Sequence, residues 1–132
     1  MVVQKLSVVV VEDEYLIRLL LEDMLVDLGH AIAGTGRTIS EGLDCIMSMP
    51  PPDFAILDIN LNGEYSYPVA QRCINVGLPF FFVTGFAHRE VPLEFSDISV
   101  VDKPYAQSDI AAAIGQTLAR FPKPISMCAD YD

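Results

Sequence analysis

A chain of 132 residues, 52% of them hydrophobic and with a mean hydropathy of +0.37, is sized for one domain with a proper core and too apolar to stay disordered. Eighteen acids against eight bases leave a net charge of −10, which excludes a nucleic-acid surface built from clustered Lys and Arg. No apolar run approaches the roughly 18 residues a membrane span needs, and with a strand-like run starting at Leu6 no secretory signal is expected. Cys45, Cys73 and Cys128 show neither pairing nor metal spacing, so a reduced, cytoplasmic protein is expected.

In chain order, Leu6–Val11 is a continuous, mostly β-branched run, as in a strand covered on both faces. It runs straight into Glu12-Asp13-Glu14, three carboxylates that repel one another unless something holds them or they point apart. Glu14–Leu28 has helical periodicity and stops at Gly29. On a helical projection Ile17, Leu20, Leu21, Met24, Leu25 and Leu28 share one arc, and Arg18, Glu22, Asp23 and Asp27 the other. Tyr15, Leu19 and Val26 fall inside the polar arc, which leaves packing and partner docking both open. His30–Gly34 reads as a short strand and Thr38–Met49 as a helix ended by Pro50-Pro51-Pro52. Phe54–Leu57 is an apolar strand closed by Asp58, followed by a polar, Gly-containing loop. Tyr67–Val76 is a helix with Pro68 in its first turn and Gly77 at its end. Leu78–Val83 is a buried strand halted at Thr84-Gly85. Pro92 makes Phe86–Phe95 a poor helix. Ile98–Val101 is a fifth strand and Ser108–Phe121 a closing helix. His30 and His88 are isolated and read as surface or loop residues.

Alternating strands and helices imply an α/β fold, a doubly wound five-stranded parallel sheet with helices on both faces. In such folds the functional crevice lies outside the carboxyl ends of the strands. Four strands end in polar groups there: Glu12-Asp13, Asp58, Thr84 and Asp102-Lys103. Gathered carboxylates need a cation, and oxygen donors with open positions suit Mg²⁺. Asp58 can accept a phosphoryl group as an aspartyl phosphate. Lys103 and Thr84 can stabilise phosphoryl oxygens by charge and hydrogen bonding.

The four motifs, VVVVEDE, FAILDINLNG, FFVTG and VVDKPY, together resemble a response-regulator receiver domain of two-component signalling. The resemblance covers almost the whole chain, with residues 5–121 as the receiver and 122–132 as a short tail. It implies a flavodoxin-like strand order of 2-1-3-4-5. It makes Asp58 the phosphoacceptor, charged by a sensor histidine kinase or histidine phosphotransfer protein. Mg²⁺ would be held by Asp13 and Asp58 directly, by Glu12 directly or through water, and by the backbone carbonyl of Asn60. Thr84 and Lys103 would contact the phosphoryl group, and the Lys103–Pro104 bond would be cis. The output would be an unknown protein partner, with no enzymatic turnover beyond self-catalysed transfer and hydrolysis at Asp58. No direct DNA binding and no membrane association are expected.

Two departures stand out. Val100 occupies the place where the family usually has an aromatic three residues before the lysine, so the familiar aromatic switch is not expected. Phe82-Val83-Thr84-Gly85 resembles a single-domain subgroup with a Phe-Ala-Thr-Gly signature that also lacks that aromatic. Asn60 and Phe86, two residues beyond Asp58 and Thr84, flank the path of a hydrolytic water, with Asn60 able to orient it and Phe86 to exclude it. Two alternatives remain: a phosphorylation-independent interaction module, and a metal-dependent phosphatase using Asp58. The phosphatase would want a second Asp where Asn60 stands.

Overall fold

The computed structural model describes residues 5–85 and 91–121; the readings made above for Phe86, for His88, for Cys128 and for the tail 122–132 lie outside the described residues. The strands are β1 (Ser7–Val11), β2 (Ala31–Gly36), β3 (Phe54–Asp58), β4 (Asn60–Leu61), β5 (Glu64–Tyr65), β6 (Phe80–Thr84) and β7 (Val100–Asp102). The helices are α1 (Tyr15–Asp27), α2 (Ile39–Ile46), α3 (Tyr67–Val76) and α4 (Gln107–Arg120), with a 3₁₀ turn at Leu93–Phe95. Five strands form one parallel sheet in the order β2-β1-β3-β6-β7. With the separate β4–β5 hairpin uncounted, this is the doubly wound 2-1-3-4-5 arrangement.

The all-apolar runs become central strands because both sheet faces are covered. Val8, Val10, Phe54, Ile56, Phe81 and Val83 pack against Leu21 and Leu25 of α1 and Ile110 and Ile114 of α4. Val9, Val11, Ala55, Leu57, Phe80 and Phe82 pack on the other side against Ile46 of α2 and Val69, Ala70 and Cys73 of α3. Helix α3 ends where expected because Gly77 takes a left-handed φ of 75° and its N–H caps the helix. No described helix is long and apolar enough to cross a membrane.

Several boundaries differ from the expectation, each for a local reason. The second helix ends at Ile46 rather than Met49: the Ser48 hydroxyl turns back to donate to the Cys45 carbonyl at 2.8 Å, and residues before prolines avoid the helical region. The fifth sheet strand begins at Val100 rather than Ile98, whose N–H donates to the Phe95 carbonyl at 3.0 Å and closes the preceding turn. The loop after Asp58 contains the β4–β5 hairpin, turned by Asn62 (φ 54°) and Gly63 (φ 94°). His30 lies in the loop before β2, as expected, and its Nδ1 accepts the Leu6 N–H at 3.1 Å. Leu20, placed on the apolar arc, is 59% exposed, because only a narrow stripe of α1, centred on Leu21 and Leu25, meets the sheet and α4.

Candidate functional site

Side-chain alternation places the site. Val10 of β1, Ile56 of β3 and Val101 of β7 all face the α1–α4 core. Two residues on from each, one pleat period, come Glu12, Asp58 and Lys103. Thr84 stands two residues on from Phe82, which faces the α2–α3 core, so it belongs to the opposite side of the sheet. Three charged groups thus meet on one face at the strand ends.

Lys103 Nζ lies 2.8 Å from Glu12 Oε1 and 2.9 Å from Asp58 Oδ2. Glu12 is fully buried and Asp58 is 4% exposed, so water does little to solvate or screen either charge. Backbone groups complete the shell. The Glu14 N–H donates to Glu12 Oε2 at 3.1 Å, and the Asn60 N–H donates to Asp58 Oδ1 at 3.2 Å. The Lys103 N–H donates to the Thr84 carbonyl at 2.8 Å, tying the β6 and β7 ends together. One oxygen each from Glu12, Asp13 and Asp58 lies within 4.8 Å of the others, an all-oxygen cluster able to bind a hard cation. Glu14 stands apart from the other two acids of its run. It is the N-terminal cap of α1, its side chain is exposed, and it lies 4.0 Å from Lys103 Nζ.

Burial pushes the Glu12 carboxyl up to about 7; the Lys103 ammonium opposes this and Asp58 adds to it. Burial also pulls the Lys103 ammonium down, but its hydrogen bonds to Glu12 and Asp58 outweigh that and hold it above its ordinary value. Cys73, one of the core fillers on α3, is pushed up to about 12 by burial. A buried ammonium between two carboxylates is secured only while both partners stay.

Three residues near the site escaped the sequence reading. The Tyr105 hydroxyl is buried without a hydrogen-bond partner among the described residues, and burial, then the Glu12 charge, push it up to about 12. Its only signal is its place directly after Lys103-Pro104, a peptide bond that is cis. Arg18 donates from Nη1 to the Glu12 carbonyl at 3.4 Å; in sequence it is merely the one cation of an acidic helix. Tyr67 brings an aromatic ring to Phe82 (6.0 Å) and Phe95 (5.4 Å) beside Val100.

No family model matches the chain. Among solved structures, SdrG from Sphingomonas melonis Fr1 is similar with a TM-score of 0.77 and 36% identity, over 86% of this chain and 97% of that one. The PhyR response regulator REC domain from Erythrobacter litoralis has a TM-score of 0.75 and 28% identity, over 91% of this chain and 95% of that one. The chain belongs to the response-regulator receiver family. Among curated proteins, the phyllosphere-induced regulator PhyR of Methylorubrum extorquens is 26% identical over 115 residues, 85% of this chain and 43% of that protein. The chain spans about half the length of the curated relatives it matches. As a receiver it acts in signalling.

Proposed function

We propose that this receiver takes a phosphoryl group from a phosphohistidine donor onto Asp58 in a Mg²⁺-dependent reaction. The observation that carries the reading is Lys103 Nζ bridging Glu12 and Asp58 beside a three-carboxylate cluster. In the step, an Asp58 oxygen bonds to phosphorus as the P–N bond to the donor imidazole breaks. The departing nitrogen keeps the electron pair and takes up a proton. Mg²⁺, when bound, would screen the charge between the incoming phosphoryl oxygens and the carboxylates. Asp13 and Asp58 would hold it, with Glu12 acting directly or through water.

The Asn60 backbone carbonyl would be the further ligand. Leu61 and Glu64 flank the two-residue turn as the hydrogen-bonded pair, and the Ser66 N–H donates to the Ile59 carbonyl at 2.8 Å. By alternation, the Asn60–Tyr65 pair exchanges no bonds and Asn60 turns its N–H and C=O outward together. Its N–H already points at Asp58, so its carbonyl faces the same side. The Asn60 side chain is engaged elsewhere, its Oδ1 accepting the Gly63 N–H at 2.8 Å. That also weakens the phosphatase alternative, which needs a free acid at this position. Lys103 would follow the charge from Asp58 to the phosphoryl group, and Thr84 would donate to it from the other side of the sheet.

A sensor histidine kinase or histidine phosphotransfer protein would dock on α1, whose exposed Tyr15, Leu16, Leu19 and Leu20 begin beside the site. The output would leave by protein–protein contact. Acetyl phosphate with Mg²⁺, followed by intact-mass measurement, tests the chemistry. One added phosphoryl group is expected on the native chain and none on Asp58→Asn. Undiminished labelling of Asp58→Asn, or labelling in EDTA, would defeat the assignment.

A further inference from the structure

Arg18 is out of place by two rules at once. It sits in the first half of α1, where the helix dipole disfavours a cation, and its side chain is only 12% exposed. A guanidinium there needs partners, and two of those it has among the described residues lie at the start of the helix or behind the acidic cluster, the third being Glu22 one turn on. Nη1 donates to the Glu12 carbonyl at 3.4 Å. Nε lies 3.6 Å from Glu22 Oε2, and Cζ lies 5.4 Å from the centre of the Tyr15 ring. The Glu12 carbonyl belongs to the peptide unit that joins Glu12 to Asp13. At its other end, Glu12 is held by its N–H, which donates to the Gly36 carbonyl at 2.9 Å. The two acids therefore hang from a backbone pinned on the β2 side by Gly36 and on the α1 side by Arg18.

We propose that Arg18 is a positioning residue for the divalent-cation site: it fixes the plane of the Glu12–Asp13 peptide and thereby where both carboxylates meet Asp58. This rests on the metal reading given under Proposed function. Arg18 touches neither cation nor phosphoryl group, so its effect must be read in metal affinity rather than in the chemical step. Lysine keeps the charge but cannot span the Glu12 carbonyl, Glu22 and the Tyr15 ring together. Glutamine removes the charge as well.

The experiment is calorimetric titration of the full chain with Mg²⁺ alone, for the native protein, Arg18→Lys and Arg18→Gln, with thermal melting of each in EDTA. Both variants should bind Mg²⁺ about tenfold more weakly, the lower end of what loss of an outer support costs a metal site. A role through charge alone would leave Arg18→Lys unchanged and make Arg18→Gln bind more tightly, and that result overturns the inference. So does a fall in melting temperature with unchanged affinity, which would make Arg18 a packing residue only. If the native chain binds no Mg²⁺, the metal reading itself fails, which the native titration alone reveals.

Discussion

Glu12 concentrates the energetic conflict of the site in one side chain. Burial outweighs the Lys103 ion pair and raises its carboxyl from the ordinary 4.5 to about 7. The sign follows from linkage. A group bound more tightly to its proton when folded stabilises the fold fully below its unfolded value and loses that contribution as pH rises through the folded one. Without metal, Glu12 therefore supports the fold below about pH 4.5 and ceases to do so by about pH 7. Metal binding needs the opposite form, because a ligating carboxylate must be ionised. Between pH 8 and pH 6 the ionised fraction of a group titrating near 7 falls about tenfold, and Mg²⁺ affinity should fall with it. Titrations at the two pH values check this, and an affinity independent of pH would place Glu12 outside the cation's reach.

At the scale of elements, the hairpin shows what a sequence pattern carries and what it does not. The sheet was legible because each central strand is a run of four or more apolar residues, β-branched in β1 and largely aromatic in β6, bounded by polar or turn residues. The polar residues of the site were legible because each stands just past such a run. Leu61-Asn62-Gly63-Glu64 carried its own signal, an Asn-Gly pair made for a turn with both φ angles positive. Its two-residue strands, however, are shorter than any window in which alternation can be counted. Leu20 was misplaced because periodicity finds an apolar arc but not how much of it a neighbour reaches. Arg18 and Tyr105 were silent for a different reason: the meaning of Arg18 lies in its bond to the Glu12 carbonyl and that of Tyr105 in its burial within the field of Glu12, not in their spacing. The hairpin holds Asn60 against Asp58, so loosening its turn should reach the site. A Cβ at Gly63 would meet nothing within 4 Å, so Gly63→Ala costs only backbone strain at φ 94°, about 1–2 kcal/mol. Melting should shift by that amount while Mg²⁺ affinity also declines; an unchanged affinity would mean that the Asn60 carbonyl is no ligand.

For the molecule as a whole, the acids that make the site work against the fold that carries them. The net charge is −10, and Glu12, Asp13 and Asp58 are gathered within 4.8 Å of one another with one ammonium, Lys103, between two of them. Like charges at such separations cost roughly 4 kcal/mol per pair at an effective dielectric near 20. Lys103, in contact with two of the acids, offsets most of that repulsion, and the large apolar core, with Phe54, Phe80, Phe81, Phe82 and Phe95 fully buried, carries what is left together with the cost of desolvating the charges. A ligand that binds only the folded chain returns stability by mass action. At ten times its dissociation constant, Mg²⁺ should contribute about 1.4 kcal/mol, which for a domain of this size raises the melting temperature by about 5 °C. Asp13→Asn should reverse both halves of this balance. Removing one of three clustered carboxylates relieves repulsion, so the variant should melt higher than the native chain in EDTA. Having lost a ligand, it should gain little or nothing when Mg²⁺ is added. Melting curves of the two proteins, each with EDTA and with Mg²⁺, make the comparison at fixed ionic strength, so that general screening is the same throughout. A native chain that is indifferent to Mg²⁺, or an Asp13→Asn variant that is destabilised in EDTA, would show that the acidic cluster is held by the fold for some reason other than a cation.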